Sequence, residues 1–301
     1  MSTILWLLLS LGGAVGFNVS DGYIIALDTT ANELQTQVKC HLHIPHVHLF
    51  AAINGTRALL QLPTLPLYTR FLFAIKARHD HMQLSSDAML GCLLSHMAIW
   101  RLVLPGTIVA VFEEDGVVDA VSAQRLAILE RDLADSRWDL LMLESGQFTA
   151  TGKWRAVGQI AATCATLCTW QGSRGYLVSY RGAQALLRFA EPIMVQVDAL
   201  MGLVAAFEPG FRMYWTLSDV VHPSRLRMST IWDACIKCYL PPGAHLFYVA
   251  CSLLLFCGCL YCKAAAYKKR GHTLMALWQT TKRAFTLRLP CLGCCYQTCP
   301  A

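Results

Sequence analysis

Three consecutive acidic residues, Glu113, Glu114 and Asp115, follow directly on an apolar run at residues 107–112 (TIVAVF). The run is typical of a buried central strand, and acids at the carboxyl end of such a strand lie at the crevice of an open α/β sheet. Adjacent carboxylates repel one another unless a cation or a basic side chain is near. Hard divalent cations prefer oxygen ligands and also bind substrate phosphates. The triplet therefore indicates a metal site that holds a diphosphate, with a solvated acidic turn as the structural alternative.

The strand before this triplet belongs to a chain in which strand-like and helix-like segments alternate, which is typical of an α/β layer fold. Apolar runs predict strands over residues 23–27, 47–53, 107–112, 138–143 and 175–178. Helices are predicted over residues 30–40, 122–134 and 181–190, and from about Ala88, after a Ser85-Ser86-Asp87 cap, to the Pro105-Gly106 stop. Pro63 and Pro66 predict a loop.

Further short motifs surround the triplet in a fixed order. The helix before it carries residues 91–96 (GCLLSH) and Ile99-Trp100. The others are residues 24–28 (IIALD), 50–55 (FAAING), 138–141 (WDLL), 175–179 (GYLVS), Gly182-Ala183, Leu186-Leu187, Pro192-Ile193 and Val197-Asp198, with a fainter match at Pro223 and residues 229–231. In order and spacing, the chain from residue 22 to residue 232 resembles glycosyltransferase family 25.

That family includes lipooligosaccharide galactosyltransferases and collagen hydroxylysine galactosyltransferases. The resemblance implies a GT-A-like, nucleotide-sugar-binding α/β domain. It also implies a nucleotide-sugar donor, often UDP-galactose, and usually manganese (Mn²⁺). The expected activity is transfer of a hexose from a UDP-sugar to a hydroxyl of a glycan or glycoprotein acceptor.

The resemblance also implies roles for individual residues. Glu113 and Asp115 are expected to bind the metal. Ser95, His96 and Glu114 are expected to line the donor site, although His96 on an apolar helix could equally be a hydrogen-bonded core histidine. Asp198 is expected to contact the acceptor or to act as the general base that deprotonates its hydroxyl, with a helix-capping aspartate as the alternative.

Three departures from the family pattern support a different function. Glu114 stands where the family usually has Asp, Met89 stands where it usually has an acid, and residues 28–31 (DTTA) lack the usual arginines. These changes would weaken donor binding. The alternative function is that of a catalytically inactive family member, acting as a membrane-bound adhesion, decoy or assembly glycoprotein.

Both ends of the chain predict a membrane-anchored protein. Residues 1–17 read as a signal peptide or signal-anchor. Residues 244–262 form an uncharged apolar run that is long enough for a transmembrane helix. Residues 263–301 hold seven Lys or Arg and no acid, which predicts a cytosolic tail. Residues 18–241 are then the lumenal or extracellular domain, in the secretory pathway or at the cell surface.

The distribution of charge argues against nucleic acid as a partner. The formal net charge is +6, so the basic tail accounts for all of the excess and suits anionic lipid heads instead. Cysteines at positions 164 and 168, and at 235 and 238, are close enough for local disulfides, whereas the tail cysteines suit palmitoylation or a small metal knuckle. The four histidines at positions 41, 43, 46 and 48 are expected to lie in a solvated loop, with a strand that places two of them on one face for a metal as the alternative.

Overall fold

The computed structural model describes residues 17–27, 31–61, 65–75, 82–145, 154–164, 170 and 172–224. The chain divides into two compact units, Met1–Tyr239 and Leu240–Ala301, and every described residue belongs to the first. Within the described ranges, no helix has the length and apolar character needed to cross a membrane. The predicted span at 244–262, the cytosolic tail and residues 1–16 of the predicted signal segment lie outside these ranges.

The described residues form an α/β fold of strands and helices. The strands are β1 (Val19–Ala26), β2 (His46–Ala51), β3 (Ile108–Glu113), β4 (Gly116–Val117), β5 (Leu140–Met142), β6 (Trp154–Val157), β7 (Ala161–Cys164), β8 (Gly175–Ser179), β9 (Met213–Thr216) and β10 (His222–Pro223). The helices are α1 (Asn32–Leu42), α2 (Gly55–Gln61), α3 (Leu67–Ile75), α4 (Asp87–Trp100), α5 (Ala120–Asp132), α6 (Tyr180–Ala190) and α7 (Val197–Phe207).

Eight of the described strands form one mixed sheet, in the order β2-β1-β3-β8-β5-β9-β7-β6. Strands β2, β1 and β3 are parallel, whereas β8 runs antiparallel between β3 and β5. The carboxyl ends of β3 and β5 therefore lie at the same edge of the sheet as the amino end of β8. The acidic triplet follows β3 at that edge, as the sequence predicted. The architecture is consistent with a GT-A-like fold.

Alternation along the strands produces a hydrophobic core on each face of the sheet. Val109 and Val111 of β3 pack on one face with α4, α6 and α7. Ala110 and Phe112 pack on the other face with α1 and α5. Both faces are covered, which explains why β3 reads as a continuous apolar run instead of an alternating one.

Helix α4 packs directly on the turn that follows β2. A Cβ atom on Gly91 would lie 2.4 Å from the backbone oxygen of Ile53, so only glycine allows this approach. The Ser95 hydroxyl lies at the same contact, where it accepts a hydrogen bond from the Ile53 N–H at 2.8 Å and donates one to the Gly91 carbonyl at 2.7 Å. This contact fixes the position of α4 beside the carboxyl ends of the strands.

Several predicted elements need correction. Helices α2 and α3, which flank the predicted loop at Pro63 and Pro66, were not predicted, and neither were α7, β6, β7 and β9. Helix α5 begins at Ala120, two residues before the predicted start, because Asp119 and Ser122 form a capping box. The predicted strand 47–53 is observed as His46–Ala51.

The prediction that the four histidines lie in a solvated loop is wrong. His41 lies in the last turn of α1, and His43 follows that helix in the left-handed conformation, with φ of 54°. His46 and His48 both lie in β2 and are exposed. His48 is 3.1 Å from the carboxylate of Asp21, an ordinary surface pair.

The cysteines of the described residues differ in state. Cys164 is disulfide-bonded, and its partner lies outside the described residues. Cys40 and Cys92 are free.

The contact between α4 and the β2 turn yields a stability prediction. Gly91→Ala is expected to destabilise the protein by about 1–3 kcal/mol, because the new methyl group collides with a backbone oxygen that cannot rotate away. Gly22→Ala is the matched control, since its Cβ would meet its nearest neighbour at an ordinary 3.4 Å. Urea unfolding measures both variants. Equal unfolding midpoints for the two would contradict the proposed close contact.

Candidate active site

Glu113 is the last residue of β3, and its carboxylate is held from several sides. Its side chain is 20% exposed. Its Oε1 atom lies 3.3 Å from His96 Nε2 and accepts a hydrogen bond from the Ser173 hydroxyl. Burial by itself raises the pKa of Glu113, but the hydrogen bonds from His96 and Ser173 and the charge of Arg174 hold it below its ordinary value. Glu113 is therefore an ionised carboxylate of fixed orientation.

His96 is oriented by an aromatic pair behind it. It is fully buried on α4, and its Nδ1 atom lies 2.7 Å from the Tyr176 hydroxyl oxygen. Trp100 donates its indole N–H to the same oxygen at 2.9 Å. Because Trp100 can only donate, the Tyr176 proton is available for His96 Nδ1, which leaves the proton of a neutral imidazole on Nε2, facing Glu113. His96 is thus both a hydrogen-bonded core histidine and a direct contact of the acidic site.

Asp115 lies just after Glu113 in the turn that follows β3. Its side chain is 15% exposed and lies 3.7 Å from the guanidinium of Arg174. Burial, followed by the negative charge of Glu113, raises the pKa of Asp115 to about 7, although Arg174 lowers it. Among the described residues, its Oδ1 atom is buried and has no hydrogen-bond partner. A buried acceptor without a donor is costly in a folded protein, so this atom has the surroundings of a ligand position.

Arg174 and Glu144 form a pair that the sequence analysis did not identify. Arg174 donates from its backbone N–H to Glu144 Oε1 at 2.9 Å, and its guanidinium forms a salt bridge with Glu144 Oε2. Burial raises the pKa of Glu144 to about 8, against the lowering effect of Arg174. Glu144 almost directly follows the apolar strand β5, so it carried the same kind of signal as the acidic triplet. Arg174 had no comparable signal, because only the pairing of β8 with its neighbours brings it here.

Asp198 lies in the first turn of α7 and holds the segment that carries Ser173 and Arg174. Its Oδ2 atom accepts the Gly172 N–H at 3.2 Å, and its Oδ1 atom accepts the Ala199 N–H at 2.7 Å. Gly172 has φ of 112°, and a Cβ there would lie 2.8 Å from the Glu144 carboxylate. Both the backbone conformation and the lack of space therefore exclude a side chain at this position. The helix-capping alternative is therefore partly realised, and Asp198 also joins the site electrostatically.

The pKa of the Cys92 thiol is affected by several of these acids. Burial raises its pKa well above the ordinary value, and the negative charges of Glu113, Asp198 and Asp115 raise it further, in that order. Cys92 and His96 are one helical turn apart on α4, so both face the end of β3. The structure thus brings Glu113, Asp115 and His96 together, and the Asp198 carboxylate is within electrostatic range of the same Cys92 thiol.

The other two predicted site residues lie differently. Glu114 turns towards β1, where its Oε2 atom accepts the Leu27 N–H at 3.0 Å. Ser95 is fully buried, and its hydroxyl joins α4 to the β2 turn. Residues 28–30, which follow Leu27, lie outside the described residues. Of the predicted set, Glu113 and Asp115 have the arrangement that could hold a cation.

The backbone of the acidic turn is fixed independently of its side chains. The Glu113 N–H donates to the Arg174 carbonyl at 2.9 Å, and the Ser224 N–H donates to the Asp115 carbonyl at 2.7 Å. Strand β10 pairs with β4 directly beside the turn. Two carboxylates, one guanidinium and one imidazole are therefore held in place at the carboxyl end of β3, an arrangement that can bind a divalent cation and an anionic ligand.

Comparison with known families agrees with this geometry. A search of curated proteins finds no match. The sequence pattern of glycosyltransferase family 25 (LPS biosynthesis protein) matches residues 20–201. The match includes β3, the acidic triplet, α4, β8 and Asp198, and it extends over more than half of the 301 residues. The chain therefore belongs to glycosyltransferase family 25.

Proposed function

We propose that this protein transfers a hexose, with galactose as the first candidate, from a UDP-sugar to a hydroxyl of a glycan or glycoprotein. The observation that carries the proposal is the buried Oδ1 atom of Asp115, which has no hydrogen-bond partner among the described residues and lies beside the ionised carboxylate of Glu113. Family membership supplies the reaction class. The sugar, the acceptor and the need for a metal are the finer parts of the proposal.

Glu113 and Asp115 fit a hard divalent cation such as Mn²⁺. Both offer carboxylate oxygens, which such cations prefer, and both follow one strand at the edge where α/β sheets bind ligands. When bound, the cation supplies positive charge that stabilises the diphosphate leaving group. Glu113 is pre-oriented by His96 and Ser173, so little side-chain entropy remains to be lost on binding.

Arg174 supports the proposal from the other side of Asp115. Its side chain is 33% exposed, so the guanidinium is open to a ligand while Glu144 holds it. A guanidinium matches the geometry of phosphate oxygens. The sequence lacks the arginines expected at residues 28–31, and Arg174 offers a positive charge for the donor diphosphate from the segment just before β8. The absence of those arginines therefore does not require an inactive site.

Asp198 is the proposed general base or acceptor contact. It is 9% exposed, and its negative charge acts on the Cys92 thiol, as do the charges of Glu113 and Asp115. Hydrogen bonds from the Gly172 and Ala199 N–H groups orient its carboxylate. Glu114, which lies beside the end of β1, remains a proposed donor contact. Ser95 acts in this proposal by positioning α4. The proposed setting is the secretory pathway or the cell surface, with residues 244–262 as the membrane span.

Substitution of Asp115 tests the proposed metal and donor site. Calorimetric titration of UDP-galactose in the presence of Mn²⁺ is expected to show at least tenfold weaker binding for Asp115→Asn, because the variant loses a charged ligand. Asp21→Asn is the matched control, since Asp21 lies near the amino end of β1, away from the site. Equal affinity for the parent and Asp115→Asn would contradict the proposal. Failure of the folded parent to bind any common sugar nucleotide would favour the inactive alternative.

The affinity for the cation is expected to depend on pH. The pKa of Asp115 is about 7, so a proton must leave before the carboxylate can act as a ligand. Mn²⁺ affinity should therefore rise from about pH 6 to about pH 8, by on the order of tenfold, with proton release at the lower pH. Titrations in buffers of different ionisation enthalpy measure that release. A pH-independent affinity, equal to the flat response expected of Asp115→Asn, would contradict the assignment.

A further inference from the structure

Cys92, His96 and Glu113 form a second set of metal-ligating groups that the proposed function does not use as a set. One ligand atom from each residue lies within 4.8 Å of the other two. Cys92 and His96 are four residues apart on α4, which places both on one face of the helix, and Glu113 meets them from the end of β3. Cys92 is a free cysteine.

The set is partly exposed on one side, and two of its three groups are held by hydrogen bonds. His96 is fully buried, whereas Cys92 and Glu113 are only partly buried, so a small ion can approach from their side. Glu113 is held by Ser173, and His96 is held by Tyr176. Little rearrangement is therefore needed to bring the sulfur, nitrogen and oxygen atoms to bonding distance of one ion.

In such a site Nε2 of His96 would bind the ion, and the other ring nitrogen, Nδ1, already has an oxygen partner. Metal-ligating histidines usually donate their other ring N–H to an oxygen, which fixes the tautomer and the ring orientation. His96 Nδ1 lies 2.7 Å from the Tyr176 oxygen. When Nε2 binds the ion, the imidazole proton moves from Nε2 to Nδ1. The Tyr176 oxygen, which has two lone pairs, then accepts from Nδ1 instead of donating to it, while it still accepts from Trp100.

We propose that Cys92, His96 and Glu113 bind a thiophilic divalent cation such as Zn²⁺. Sulfur, imidazole nitrogen and carboxylate oxygen are its ordinary protein ligands, whereas Mn²⁺ favours oxygen ligands over sulfur. On binding, the Cys92 sulfur bonds to the cation and the thiol proton leaves to solvent, so the site gains one positive charge in net. Because Glu113 belongs to both sets, Zn²⁺ and the proposed Mn²⁺ compete for its carboxylate, a consequence that rests on the proposed function.

Cobalt(II) is the spectroscopic probe for this site. A thiolate ligand gives bound Co²⁺ an intense charge-transfer absorption that oxygen ligands do not give. The full-length protein is titrated with Co²⁺ beside Cys92→Ser and Cys40→Ser, and difference spectra remove the contribution of the cysteines that all three share. The parent and Cys40→Ser are expected to show the same absorption, and Cys92→Ser is expected to lose one equivalent of it. No difference between Cys92→Ser and the parent would overturn the proposal.

A second measurement uses the parent protein alone, so its result does not depend on whether a variant folds. Alkylation of Cys92 is expected to slow at least tenfold when Zn²⁺ is added, because the sulfur is then bonded to the ion. The exposed Cys40 is the internal control and should react at an unchanged rate. Mass spectrometry of the two peptides gives both rates. An unchanged rate at Cys92 in saturating Zn²⁺ would overturn the proposal, whether or not the protein transfers sugar.

Discussion

The rest of the site depends on the crowding of negative charge at the carboxyl end of β3. Glu113 and Asp115 lie two residues apart in a partly buried turn, and Glu144 and Asp198 approach them from other elements. Carboxylates in such a place repel one another and lose hydration. Arg174 and His96 offset this repulsion, and the raised pKa of Asp115 favours its neutral, protonated form. A bound cation would complete the same balance of charge.

The elements around these acids hold their side chains in fixed positions. Antiparallel β8 lies between β3 and β5, so the segment before it reaches both Glu113 and Glu144. Helix α4 approaches through Gly91, and its hydrogen bond at Ser95 fixes the helix beside the strand ends. His96 on the same helix then meets Glu113. Contacts at Gly91 and Ser95 thus help to fix the orientation of the Glu113 carboxylate through the neighbouring His96.

The sequence predicted the parts of the site whose signals are local. An apolar run followed by acids located β3 and its triplet, and the family resemblance located His96 and Asp198. It did not predict that Glu114 turns away from its neighbours, because three adjacent acids look alike until the path of the strand is known. Arg174 was not found because β8 brings it to the acids only through long-range pairing. Helices α2 and α3 were hidden by the prolines beside them, and α7 by the lack of a clear polar face.

The central claim is that Glu113 and Asp115 together hold the cation on which sugar transfer depends. The most direct test is an anomalous difference map from crystals of the protein soaked with Mn²⁺ and UDP. The account predicts a peak within bonding distance of the Asp115 Oδ1 atom and of the Glu113 carboxylate. A peak whose ligands include neither residue, or no peak at a saturating Mn²⁺ concentration, would contradict it.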